Sequence, residues 1–265
     1  MSVSQVRARW IAFLNKIEER HREVLREAEA GCLQLLDLSQ LDTNPMANAW
    51  QGIRSQLLAL SSKVDDTWSE KVEPAFEAAY AQEAAPGNHI DEYDRGRSLM
   101  DRLERDKLRA EIEIFAAAAD RLMDAARSER EAEVQCTQCA ATLTVDRNVF
   151  RSHYVRCEFC GVQNTYDPGT RVRAIENFCA QHLAKRSALS LELAMLDAWE
   201  SVRAERTAPR SLLLELESAV KLYWSAFYEK RAEIVPDLGR DFDADLDARM
   251  REFYASMKHE KNWVP

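Results

Sequence analysis

Cys136-Thr137-Gln138-Cys139 and Cys157-Glu158-Phe159-Cys160-Gly161 place four thiols in a C-x2-C-x17-C-x2-C pattern. Each C-x2-C pair folds into a tight knuckle that aims two sulfurs at one point. Two knuckles complete a tetrahedron, which zinc accepts without electronic preference at about 2.3 Å per bond. The spacing falls within the range read as a zinc site. Gly161 after the second pair suits a knuckle, where the backbone often needs positive φ. Ala140 holds the matching place after the first pair and makes that knuckle less typical.

Other chemistries fit these cysteines less well. Disulfides need an oxidising compartment, and the N-terminal residues do not read as a secretory signal. A redox C-x-x-C is expected beside a βαβ pattern. A catalytic zinc keeps an open position, whereas a fourth cysteine closes the shell. Iron in an all-thiolate site stays open, because ligand type alone does not separate it from zinc.

Over about residues 135–168 these motifs resemble the zinc-ribbon family of four-cysteine modules. The resemblance implies a small β-hairpin built around metal, with Cys136, Cys139, Cys157 and Cys160 as the ligands of a structural Zn²⁺. Ribbons serve in nucleic-acid binding, in protein contacts and as structural staples, so the resemblance carries no single function.

The rest of the chain must position this module, and it reads as helix. Gly and Pro number only 7 each in 265 residues, too few to punctuate a many-stranded fold. Val6, Trp10, Phe13 and Ile17 begin a stripe over residues 4–38. Asn44-Pro45 reads as an N-cap and first helical residue, opening a second helix to about residue 85 that Pro74 should kink or split. A third, charge-dense helix spans about 92–132. Around residue 134 the pattern changes, and Ala141–Val145 reads as a short strand. Helices resume over about 171–206, from Pro209 to Pro236, and over 241–258. The reading is a mainly α, long-helix bundle with a zinc ribbon inserted between its halves. The domains are 1–133, helical; 134–170, the ribbon; and 171–265, helical and packing with the first.

Charge narrows function. The net charge is −9, and an acidic chain repels nucleic acid at long range. Only residues 136–173 are net basic, where Arg147, Arg151, Arg156, Arg171 and Arg173 interleave with Tyr154, Phe159 and Tyr166. Such sets serve single-strand stacking. Four thiolates on Zn²⁺ would add −2 and cancel that local charge. The absence of an 18-residue apolar run argues against a membrane span. Asp241, Asp243 and Asp245 mimic a calcium loop, but Leu246 stands where its glycine is needed. Cys32 and Cys179 read as buried small hydrophobes.

No phosphate loop or nucleophile elbow is visible, so an enzyme is disfavoured. The expectation is a cytoplasmic, non-enzymatic protein-interaction or scaffold protein with a protein partner. The alternatives are nucleic-acid binding through the ribbon arginines and aromatics, and an enzyme whose site is assembled from helix carboxylates. For partner contacts the sequence nominates Phe150 with Arg147 and Arg151 at the ribbon tip, and Tyr228 and Trp263, which lie off the main helical stripes.

Overall fold

The computed structural model describes residues 1–83 and 87–261, apart from the side chains at 128 and 259–261. In chain order the elements are α1 (Val3–Leu38), α2 (Thr43–Thr67), α3 (Glu73–Glu83), α4 (Ile90–Glu131), β1 (His153–Arg156), β2 (Gln163–Tyr166), α5 (Gly169–Ala174), α6 (Ala180–Ser187), α7 (Leu189–Ala204), α8 (Arg210–Ile234) and α9 (Phe242–Lys261). The fold is mainly α, 78% helical, with a two-stranded antiparallel hairpin between helical halves. Among the described residues, no helix is long and apolar enough to cross a membrane. The chain divides into two compact units, Met1–Ile114 and Phe115–Pro265.

In the first unit, Ser2 caps α1 through a reciprocal box with Gln5, which satisfies two otherwise unpaired ends. The buried face of α1 is Val6, Trp10, Leu14, Ile17, His21, Val24, Ala28, Cys32 and Leu36. Trp10 anchors it. Its ring stacks on Phe13 and tilts against Trp68, and its indole N–H donates to the Glu92 carbonyl at 2.9 Å. The cap of α2 is Asp42 rather than Asn44, because the Asp42 carboxylate accepts the Asn44 N–H at 3.0 Å. That shifts the helix start upstream and puts Pro45 in the first turn, where no N–H is required. Pro74 does not split its helix. The turn just before it, Trp68–Val72, widens to π geometry and the chain continues as α3.

In the second unit, α8 packs against α6, α7 and α9. Ala180, Ala184 and Ala188 recur every fourth residue on the buried side of α6 and the turn after it. Ala184 and Ala188 lie in one core with Tyr223, Phe227 and Tyr228. Small residues there leave room for three aromatic rings from α8. A second core joins Val202, Leu213, Leu216 and Val220 to Leu246, Met250, Phe253 and Met257 of α9. The Asp-rich segment opens α9, with Asp243 and Asp245 in its first turn.

Tyr228 is not an exposed anchor. It is 6% exposed, stacks on Trp224, and its hydroxyl accepts from Arg249 Nε at 3.2 Å. α8 is covered on several sides, so its apolar face is wider than one stripe and takes in the adjacent residues 227 and 228. Trp263 lies outside the described residues.

The segment Ala141–Val145 forms no named strand. Thr142 makes a lone bridge to Gln135, and Leu143 N–H donates to the Val134 carbonyl at 2.7 Å. An Asx turn then diverts the chain, with Asn148 N–H on the Asp146 carboxylate at 2.9 Å. The ladder is formed instead by β1 and β2, paired from His153↔Tyr166 to Arg156↔Gln163.

Candidate metal centre

The two knuckles are built alike. In the first, Ala140 N–H donates to the Cys136 carbonyl at 3.0 Å and Cys136 N–H to the Ala141 carbonyl at 2.8 Å. In the second, Gly161 N–H donates to the Cys157 carbonyl at 3.0 Å and Cys157 N–H to the Val162 carbonyl at 2.8 Å. Closing each turn requires a left-handed residue after the second cysteine. Gly161 has φ 72° and Ala140 has φ 58°. Alanine therefore adopts the glycine conformation at its own steric cost.

These turns bring the four sulfurs of Cys136, Cys139, Cys157 and Cys160 within 4.8 Å of one another. The Cys136–Cys160 and Cys139–Cys157 sulfurs are each 3.6 Å apart. A tetrahedron with metal–sulfur bonds of about 2.3 Å spaces its sulfurs about 3.8 Å apart, so the cluster can hold one metal ion. A disulfide would need about 2.05 Å, and all four cysteines are free.

The electrostatics of the sulfurs point the same way. Backbone N–H groups of Cys139 and Gln138 pull the Cys136 thiol down to about 6. The Cys160 N–H also lowers the Cys157 thiol below its ordinary value. At Cys160 the Val162 N–H favours the thiolate, but burial and the three neighbouring sulfurs outweigh it and push the thiol up to about 12. Four thiolates cannot share this volume unless a cation offsets their mutual repulsion.

Asn164 joins the knuckles and was not singled out by the sequence pattern. It is 5% exposed in β2. Its Oδ1 accepts from Thr137 N–H and from the Thr137 hydroxyl, both at 2.9 Å, while Nδ2 donates to the Val162 carbonyl at 3.1 Å and faces Cys136 Sγ at 3.6 Å. The one sequence signal was an amide on the inward phase of a short strand, where an apolar residue is expected.

The ribbon tip differs from expectation. Phe150 is 2% exposed and packs with Ala126, Val172, Ile175, Ala180 and Val235. Arg130 lies over its ring, 5.0 Å from the centroid. Phe150 is thus core, because the long connection between knuckles folds back onto α4 and α5 rather than projecting. Arg147 faces inward: its guanidinium donates to the Ala132 carbonyl at 2.7 Å and lies over the Tyr166 ring. Arg151 pairs with Glu176 at 2.7 Å.

The outer face of the hairpin presents aromatic surface instead. Tyr154 on β1 is 71% exposed and Phe159, inside the second knuckle, is 81% exposed. Arg156, also exposed, donates to the Gly161 carbonyl at 3.2 Å. Of the other candidates, Cys32 and Cys179 are buried, and burial first, then Asp120, pushes the Cys179 thiol up to about 12. The chain matches no family model, no curated protein and no solved structure.

Proposed function

We propose that this chain is a non-enzymatic protein-interaction protein whose ribbon is folded by a structural zinc ion. Four thiolates close the coordination shell and leave no position for a substrate, which favours a structural role. The metal supplies what a core would supply elsewhere: it fixes two knuckles and the hairpin between them. The cytoplasm, where thiols stay reduced, suits such a site.

The observation that carries the interaction reading is the exposure of Tyr154 and Phe159 on this metal-held scaffold. Large aromatics so exposed on a rigid element are the residue types that anchor protein interfaces. The contact surface assigned to a protein partner is therefore the outer hairpin face, with Arg156 beside it, in place of the buried Phe150.

Nucleic-acid binding is the second reading, since aromatics beside an arginine also stack bases. Ion pairing weakens it. Arg151 pairs with Glu176, Arg171 with Glu129 at 2.8 Å, and Arg173 with Asp167 at 2.8 Å. Those guanidiniums are already neutralised and offer phosphates little net field.

The test compares zinc-loaded wild type with the Tyr154→Ser/Phe159→Ser double variant. Both replacements are at exposed positions and should leave zinc content and helicity unchanged. A protein partner captured by the wild type and lost by the variant supports the proposal. Identical capture by both refutes the assigned surface. Salt-sensitive binding of a single-stranded oligonucleotide, abolished in the variant, replaces it with the second reading.

A further inference from the structure

A cavity of about 350 Å³ lies between the last turns of α4 and the connection between the two knuckles. Its lining is Met123, Arg127, Arg130, Glu131 and Arg147, three guanidiniums against one carboxylate. Two of these arginines differ from their neighbours. Arg151, Arg171, Arg173 and Arg186 each meet a carboxylate at 2.6–2.8 Å. Among the described residues, Arg130 and Arg147 meet none.

Their positions are nevertheless fixed. Arg130 rests over the Phe150 ring and donates to the Arg147 carbonyl at 2.8 Å. Arg147 rests over the Tyr166 ring, 5.8 Å from its centroid, and donates to the Ala132 carbonyl. Stacking on aromatics and bonding to carbonyls orient a guanidinium without discharging it. Arg127 at the rim meets, among the described residues, only the Asp124 carboxylate one turn away, at 3.3 Å, and both side chains are largely exposed. The cavity thus holds preorganised positive charge that Glu131 in its lining and Asp124 beside Arg127 offset only in part.

We propose that this cavity binds a small phosphorylated molecule of up to mononucleotide size, with Arg130 and Arg147 as the phosphate-facing pair and Arg127 at the rim. Guanidinium forks match phosphate oxygens bidentately. Two forks from different segments suit a phosphate, which offers three terminal oxygens, better than a carboxylate, which offers two. The volume lies at the lower end of small-molecule sites, and Met123 supplies an apolar wall for the rest of the ligand. Three guanidiniums confined to one pocket in a chain of net charge −9 fit a small ligand better than a polyanion, which needs an extended basic track. The site is separate from the hairpin face assigned above and does not depend on it.

The test is calorimetric titration of the full, zinc-loaded chain with inorganic phosphate, pyrophosphate and AMP in a phosphate-free buffer. The expected result is one equivalent of pyrophosphate or AMP per chain, with affinity falling as salt rises. Arg147→Lys keeps the charge but loses the fork, and should weaken binding about tenfold. Arg127→Gln changes an exposed side chain that contributes little to folding, and should weaken binding severalfold with zinc content unchanged. No binding of any of the three probes at millimolar concentration overturns the proposal. So does binding that neither variant weakens. A single-stranded oligonucleotide that displaces AMP with a steeper salt dependence overturns the small-molecule assignment.

Discussion

Replacing Asn164 by alanine should loosen the metal centre without touching a ligand. The amide makes three ordinary hydrogen bonds, two from Thr137 and one to the Val162 carbonyl, besides facing Cys136 Sγ. Each such bond contributes about 0.5–1.5 kcal/mol net. Thr137 is exposed, so water replaces part of what it loses, and the sum falls near the low end, about 2 kcal/mol. The apolar core around the four cysteines is small, centred on Cys136, Leu143 and Cys157, so on the proposed zinc reading metal binding and folding of this segment would be one equilibrium. A loss of about 2 kcal/mol then appears as roughly 30-fold weaker zinc affinity. That lies within the usual range for groups that support metal ligands. The assay is competition with a chromogenic chelator, with far-ultraviolet circular dichroism to show that the helices persist. Asn164→Asp should be weaker still, because it puts an anion beside the Cys136 thiolate in place of a donor. Zinc affinity of Asn164→Ala within about threefold of wild type would refute the argument, since about 0.6 kcal/mol is what a single weak hydrogen bond contributes, not three.

The other expectations concern the knuckles, the core and pH. Ala140→Gly should tighten zinc binding and Gly161→Ala should weaken it, each by up to about 1 kcal/mol, because both positions have left-handed φ; equal affinities in chelator competition would show that the turns relax freely. Phe150→Ala should destabilise the second unit by about 3–4 kcal/mol in denaturant unfolding, as a buried phenyl ring is lost, whereas an exposed side chain would cost almost nothing. Purified protein should carry one zinc per chain by elemental analysis; chelation, or Cys157→Ser, should unfold the ribbon while most of the helical signal remains, and loss of most of that signal would show that the helices depend on the metal. Burial against Phe115 and Phe178, with a smaller contribution from Lys185, pulls the His182 imidazole down to about 4. The unfolded chain therefore binds a proton between about pH 6.5 and 4 that the folded chain does not, so stability is full above pH 6.5 and falls by about 2–3 kcal/mol toward pH 4. His182→Gln should remove that part of the acid sensitivity, and an unchanged pH profile would show that the imidazole charges freely in the folded protein.

The sequence by itself determined the helices and the four cysteines that cluster. Both are local properties. A 3.6-residue apolar period marks Val6, Trp10 and Ile17 as one face wherever that face packs, and α1 buries all three. A C-x2-C pair makes its knuckle from its own four residues, and two knuckles need only meet to bring Cys136, Cys139, Cys157 and Cys160 together. What surrounds those elements was decided by tertiary structure. Phe150 flanked by arginines reads as a presented tip until the connection folds back and buries it beside Val172 and Ile175. Tyr228 lies beside the stripe of α8 and is buried because neighbouring helices cover more than one side. The arginines that made the ribbon look basic are mostly spent on Glu129, Asp167 and Glu176, partners up to 42 residues away in sequence. Asn164 tells the same story from the polar side: its role depends on Thr137, 27 residues away. Periodicity and motif spacing report which residues an element presents. What those residues meet is set by contacts between distant segments, and only the folded chain brings those segments together.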